Sequence, residues 1–166
     1  MGAGTAEVEK QLYRDALEAL PEAIAVFDDE DRFVFWNTRF AETYGQGVEI
    51  RVGTRFEDHL RACLTTGLVP NAIGREEQWL AERLRRFAQA EGAHEHRLAN
   101  GRWVRVQDRR LMNGGRIGIR ADITDFRDRE QSFRLPFDVN PVPMIVADLN
   151  TQAFLAVNDA AVEFYG

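Results

Sequence analysis

The end of the chain repeats its beginning. Leu20-Pro21-Glu22-Ala23-Ile24-Ala25-Val26-Phe27-Asp28 returns in outline as Asn140-Pro141-Val142-Pro143-Met144-Ile145-Val146-Ala147-Asp148, with Pro141 standing 120 residues after Pro21. A turn and a second apolar strand follow in both copies, Arg32 to Trp36 and Ala153 to Val157. Asn37 with Glu42-Thr43-Tyr44-Gly45 then answers to Asn158 with Glu163-Phe164-Tyr165-Gly166, now 121 residues apart, so the second hairpin is one residue longer. A period of this length exceeds the roughly 20 to 50 residues of solenoid repeats and matches a small domain. The chain reads as one complete module plus the opening third of another, and the output it controls is expected beyond Gly166.

Composition limits the function classes. With 166 residues, 45% hydrophobic and 29% charged, the chain has globular composition and enough apolar residues for one sizeable core. No apolar run approaches the roughly 20 residues of a membrane helix. The N-terminus lacks a basic region followed by an apolar stretch, so secretion is not indicated and a cytoplasmic location is expected. Cys63 is the single cysteine, which excludes an intramolecular disulfide and an all-cysteine zinc site. A net charge of −6 argues against nonspecific nucleic-acid binding, although Arg83, Arg85, Arg86, Arg109 and Arg110 could form a local patch.

Residues 6 to 20 form an amphipathic helical pattern, with Val8, Leu12, Tyr13, Ala16, Leu17 and Leu20 recurring every three or four residues, and Pro21 stops it. Ala23 to Phe27 and Arg32 to Trp36 read as a hairpin around Asp28-Asp29-Glu30-Asp31. Asn37 is placed to cap a helix through Tyr44 that ends at Gly45. Phe56 to Thr65 is the clearest helix of the next stretch. Glu76 to Glu91 is a longer one, striped by Leu80, Leu84, Phe87 and Ala88 with Trp79 beside them. Three strands follow: His94 to Ala99, Arg102 to Leu111 and Arg116 to Ile123. Asn100-Gly101 predicts a type I′ turn between the first two, and Asn113-Gly114-Gly115 joins the last two. The expected fold class is α+β: a five-stranded antiparallel sheet with helices on one face and an amphipathic N-terminal helix.

Several runs, in this order, resemble a PAS domain over residues 17 to 130: Val26-Phe27-Asp28-Asp29-Glu30-Asp31-Arg32, Trp36-Asn37, Gly74-Arg75-Glu76-Glu77-Gln78-Trp79-Leu80-Ala81-Glu82-Arg83-Leu84, Gly101-Arg102-Trp103-Val104-Arg105-Val106 and Asp122-Ile123-Thr124. They are most similar to the bacterial PAS modules that precede histidine kinases or GGDEF/EAL cyclic-dinucleotide enzymes, and residues 137 to 166 look like the start of a second such domain. The domain reading is residues 1–20 as N-terminal helix, 21–124 as PAS domain, 125–136 as connector and 137–166 as the truncated repeat. The resemblance implies a non-catalytic sensor or dimerisation module, with a small pocket between helices and inner sheet face, and a helix carrying the signal onward to an output domain. Asp122, Thr124 and Asp125 would begin that connector, Phe126, Glu130 and Phe133 would give it one apolar edge, and Pro136 would end it.

Phe35, Trp36, Trp79, Leu80, Val104, Val106, Ile117 and Ile119 are the pocket candidates, and the same residues could simply fill a core. On the last strand, Arg120 and Asp122 are read as lying on the face opposite Ile117 and Ile119, as a surface ion pair. A flavin is disfavoured because Cys63 lies in Arg61-Ala62-Cys63-Leu64 rather than in the expected photoreceptor run. Haem is disfavoured because Glu76 to Glu91 contains no histidine. His94 and His96 point the same way on a strand and could meet one ion with His59 or a carboxylate, but no ligand spacing accompanies them, so no metal is assigned. The helix residues Leu12, Ala16, Leu17 and Leu20 need a covering surface, for which a homodimer is favoured and self-packing is the alternative. A pure interaction scaffold would have no pocket. An enzyme on the same sheet would need polar groups converging inside it, which the strand alternation does not place there. Two strands and one helix cannot bury their own apolar face. Met144, Val146, Phe154 and Val157 are therefore expected to dock on a neighbouring chain or on the first domain, or to be poorly ordered.

Overall fold

The computed structural model describes residues 2–166, with the side chains of residues 2–4 and 133 outside the description. The expected contribution of Phe133 to the connector's apolar edge therefore lies outside the described residues. The chain divides into two units, one ending at Ile123 and one running Thr124–Gly166.

In the first unit, α1 (Gly2–Glu18) precedes the hairpin of β1 (Ala23–Phe27) and β2 (Phe33–Trp36). Next come α2 (Thr38–Tyr44), α3 (Phe56–Thr65), a 3-10 turn (Pro70–Ala72) and α4 (Glu76–Gln89), then β3 (Ala93–Arg97), β4 (Trp103–Arg110) and β5 (Arg116–Asp122). The sheet order is β2-β1-β5-β4-β3, antiparallel throughout, so the first and last strands of the module meet at its centre. The intervening helices pack on one face over Phe27, Phe33, Phe56 and Phe87, whose ring centroids lie 4.2 to 5.0 Å apart in four of the pairs. Each such ring pair adds roughly 0.5–1.5 kcal/mol beyond its area burial.

Asn37 joins three of these elements. Fully buried, it accepts at Oδ1 from the amides of Ile24 (2.9 Å) and Phe40 (3.1 Å), and donates from Nδ2 to the carbonyls of Leu17 (3.1 Å) and Glu22 (2.8 Å). One side chain therefore caps α2, closes β1 and takes up an orphan carbonyl at the end of α1. Glu18 adds its carboxylate to the amide of Thr38 at 3.0 Å. Together these end α1 two residues before the position that Pro21 alone predicts.

The Asn100-Gly101 turn differs from the type I′ expectation. Leu98 N–H bonds Arg102 C=O at 2.9 Å, Gly101 N–H bonds Leu98 C=O at 2.9 Å, and at Asn100-Gly101 only Gly101 has a positive φ (+86°). A type I′ turn needs positive φ at both central residues, so this is the three-residue loop whose last position takes the left-handed conformation. The β1–β2 turn follows the same pattern, with Asp31 in the left-handed region at φ +63°.

The second unit holds α5 (Thr124–Asp138), the hairpin of β6 (Ile145–Ala147) and β7 (Phe154–Val157), and α6 (Asp159–Tyr165). Pro136 does not end α5. It lies inside the helix, which continues to Asp138, where the Leu135 carbonyl accepts from Val139 N–H at 3.2 Å and the Phe137 carbonyl accepts from Asn158 Nδ2 at 3.1 Å. Asn158, also fully buried, repeats the bonding of Asn37, accepting from Met144 and Ala161 amides and donating to Phe137, Asn140 and Val142 carbonyls. The extra residue of the second repeat lies in its turn, where Asp148 N–H bonds Ala153 C=O and Gln152 takes the left-handed conformation. Within this unit Met144, Phe154 and Val157 remain 38%, 72% and 44% exposed, an apolar face left open among the described residues.

Asn37→Ala strands two buried amides and two carbonyls, and is expected to lower unfolding free energy by about 3 kcal/mol or more in urea titration. A loss under about 1 kcal/mol would mean that the amide is not the joint of α1, β1 and α2.

Candidate functional site

The inner face of the sheet carries charge. In the antiparallel register Val106 stands opposite both His94 and Arg120, Val104 opposite His96 and Asp122, and Asp108 opposite Gly118. Directly opposed residues share a face, and Val104 and Val106 are buried in the core, so Gly118 and Arg120 point inward. This corrects the expected parity of β5. Ile117 and Ile119 stand opposite Val26 and Ile24 on the outer face, half-buried, and Arg120 is 4% exposed rather than part of a surface pair. Asp122 pairs with Arg102 at the surface instead, 2.7 Å from its Nε. Phe35, opposite Val26, also faces outward, lining a groove with Tyr13, Arg14 and Leu17 of α1, with the Arg14 guanidinium 5.7 Å from its ring centroid. Period-two alternation holds; what fails is the rule that aliphatics mark the helix-covered side, because α1 covers part of the other face.

Of the remaining pocket candidates, Trp79 and Val106 line an internal cavity, while Leu80 and Val104 are packed in the core and Trp36 lies at its edge, 5.9 Å from the Phe33 ring. The buried face of α4 is Trp79, Leu80, Arg83 and Phe87; Ala88 is exposed and Leu84 half-buried. Arg83, expected in a surface patch, thus occupies the apolar stripe. The signal was its spacing, four residues after Trp79 and four before Phe87.

Arg83 and Arg120 converge on Asp108, all three at most 5% exposed. Arg83 Nη1 lies 2.7 Å from Asp108 Oδ2, and Arg120 Nη2 lies 3.6 Å from Oδ1. Both guanidiniums also sit near aromatic rings, Arg83 at 5.0 Å from Phe56 and Arg120 at 5.2 Å from Phe40, which supplies part of the lost hydration. Gly118 makes room for this arrangement, since a Cβ there would collide with the Arg120 guanidinium. Tyr44, His59, Cys63 and His96 complete the polar lining. The free volume is about 20 Å³, room for about one water molecule. Arg83 Nη2, Arg120 Nη1, the Tyr44 hydroxyl, His59 Nδ1, His96 Nε2 and Asp108 Oδ1 have no hydrogen-bond partner among the described residues.

Burial shifts several of the titratable groups here. It pushes the Tyr44 hydroxyl and the Cys63 thiol up to about 12, and His59 and His96 down to about 4, where Arg120 opposes their protonation further. Burial also raises the Asp108 carboxyl, but Arg120 and Arg83 outweigh it and hold the group below its ordinary value. At neutral pH the cluster therefore holds two cations, one carboxylate and neutral imidazoles. His94 and His96 stack with centroids 6.0 Å apart, and no group of three or more His, Cys, Asp or Glu among the described residues is placed to hold a metal ion.

The chain's three histidines, His59, His94 and His96, all favour the neutral form when folded. Unfolded, they take up protons near pH 6.5; folded, not until pH 4 or below. Stability is therefore full above pH 6.5 and falls as the pH drops toward 4, by up to about 3 kcal/mol each for His59 and His96 and by less for the more open His94. Urea midpoints across this range check it, and His59→Gln with His96→Gln should flatten most of the slope.

Comparison with known proteins agrees with this architecture. Residues 17–131 match a family model described as PAS fold, and residues 131–166 match a second described as PAS domain. A curated relative, the "Non-motile and phage-resistance protein" of Caulobacter vibrioides, is 24% identical over 141 residues, 78% of this chain and 14% of that protein, so the chain spans about a seventh of its length. Among solved structures, the PAS domain of Bordetella pertussis BvgS is 18% identical with a TM-score of 0.47, covering 76% of this chain and 95% of that one. A domain of a sensory box sensor histidine kinase/response regulator from Geobacter sulfurreducens is 21% identical with a TM-score of 0.42, covering 70% and 96%. With most of its length matched by the first family model and its five-stranded sheet closed by helices on one face, the chain belongs to the PAS family.

Proposed function

We propose that the chain is a non-catalytic sensory and dimerisation module of a bacterial signal-transduction protein. In this reading the occupancy of the buried cavity is passed through α5 to an output domain, a histidine kinase or a cyclic-dinucleotide enzyme. One observation carries the reading: the strand that puts Arg120 into the cavity is the strand that leads into α5, with Arg120 only four residues before Thr124. The last rung of that strand is braced by Asp122 on Arg102 and by Ile123 N–H on Trp103 C=O at 2.9 Å. A ligand that draws on Arg120 acts on β5 directly. Two arrangements of the strand end, unequally favoured by the ligand, suffice for signalling.

Polar groups do converge inside the cavity, which is the feature an enzyme on this sheet would need. Their chemistry supports binding instead. A general acid or base works best with its pKa near the operating pH, whereas Tyr44 and Cys63 stand near 12, His59 and His96 near 4, and Asp108 is held ionised between two arginines. The reading assigns no flavin, because Cys63 lies in Arg61-Ala62-Cys63-Leu64 rather than in the photoreceptor run, and no haem. Dimerisation is placed on α1, where Val8, Leu12 and Tyr13 are 70%, 64% and 60% exposed although Asn37 and Glu18 anchor the helix end.

Two measurements test this. Native mass spectrometry of freshly purified protein, set against the denatured mass, should show a retained small ligand, and its removal should change amide hydrogen exchange in residues 116–138; unchanged exchange there would refute transmission through α5. Sedimentation of the full chain should give a dimer that Leu12→Glu converts to monomer, and a variant as dimeric as the parent would move the interface off α1.

A further inference from the structure

We infer that the cavity between Arg83 and Arg120 is an anion site whose ligand is a small monocarboxylate. This assignment deepens the sensory reading and rests on it for the site's purpose, but stands on the charge and geometry of the cavity alone.

The buried cluster is not electrically closed. Asp108 is the only buried carboxylate among the described residues, and it faces two buried guanidiniums, leaving one positive charge without a counter-ion. The neutral imidazoles cannot supply one. An uncompensated buried cation is among the most costly groups an interior can hold, and a bound anion removes that cost. One excess charge calls for a monoanion, since a dianion would leave the site negative. Among the unpartnered buried atoms are donors suited to it, Arg83 Nη2 and Arg120 Nη1 with the Tyr44 hydroxyl beside them, while the one carboxylate acceptor there, Asp108 Oδ1, already faces Arg120 at 3.6 Å. Guanidinium forks match the planar, two-oxygen face of a carboxylate. Around these donors the walls are apolar, including Phe40, Leu60, Trp79 and Val106, which fits a ligand with a short hydrocarbon body.

Size sets a second limit. The free volume of about 20 Å³ takes little beyond a water molecule, so the ligand is small and enters by displacing a side chain. Trp79, Arg83 and His96 also line a neighbouring polar cleft of about 140 Å³ between α4 and β3. A shift of the Trp79 ring joins the two spaces and gives the ligand a way in, with its hydrocarbon body held against the apolar walls of the cavity.

The test uses the full chain at pH 7.5 and constant ionic strength, with sodium acetate and sodium butyrate as probes, acetamide and butyramide as neutral counterparts, and sodium chloride as the salt control. Saturating carboxylate is expected to raise the melting temperature by about 5 °C or more and to give a one-to-one calorimetric isotherm, with no rise from the amides or from chloride. Arg120→Met removes the excess charge while keeping apolar volume, so without ligand it should melt no lower than the parent and should lose the carboxylate response. Equal rises with the amides would overturn the anion assignment and leave a sensor of neutral ligands. Equal rises with chloride would overturn the carboxylate assignment. No response to any probe would overturn the site itself, whatever the variant does. Carboxylate binding with unchanged hydrogen exchange in α5 would uphold this inference and sink the sensory reading, so the two fail separately.

Discussion

A carboxylate buried between two guanidiniums determines what else the interior of the first unit can contain. Asp108 stays ionised only because Arg83 and Arg120 stand against it, and each arginine tolerates burial only because it has that carboxylate and an aromatic ring within reach. Removing Asp108 strands two buried guanidiniums, which in buried ion pairs costs about 3–5 kcal/mol because the groups left behind are charged, whereas removing one arginine leaves the carboxylate paired with the other. The rest of the polar lining follows from the same field. Two nearby cations disfavour a third, so the imidazoles of His59 and His96 stay neutral. The aromatic rings around them lower the local dielectric, in which these charges interact more strongly than in water.

A different economy governs the joints between elements. Asn37 and Asn158 each spend a whole side-chain amide on backbone groups, drawing together the end of a helix, the start of a strand and the first turn of the next helix. Aspartate could accept at both amides but has no donor for the carbonyls, and leucine would do neither. This explains why the asparagine is one of the few positions held in both copies of the repeat while the strands around it change apolar residues freely.

Local features were the legible ones. The apolar run Ala23–Phe27, the Asn37 cap and the helix Phe56–Thr65 all lie where their own residues put them, because each is decided within a few positions. The family resemblance covered the same stretch and the order of its elements. The inward parity of β5 was not legible, since Ile117-Gly118-Ile119-Arg120 reads as aliphatic-in and charge-out, and reversing it requires knowing that Asp108 and the rings of α2 lie across from Arg120. Two residues carried a trace of the answer. Gly118 in mid-strand marks a place where something approaches the backbone closely. Asp108 shares the parity of Val104 and Val106, the only acid on that row of β4. Pro136 misled because a proline removes one hydrogen bond from a helix without fixing where that helix ends, and here it ends at Asp138.

The positions of these amides also define how one copy is joined to the next. Asn158 takes the carbonyl of Phe137 as Asn37 takes that of Leu17, and the acceptors are 120 residues apart, so α5 is to the second copy what α1 is to the first. Yet α5 begins one residue after the last strand of the first copy. Only Ile123 lies between that strand and the helix. Each copy is thus closed on the end of the helix before it by one amide, so losing that amide would release the helix from the strand and the helix that follow it.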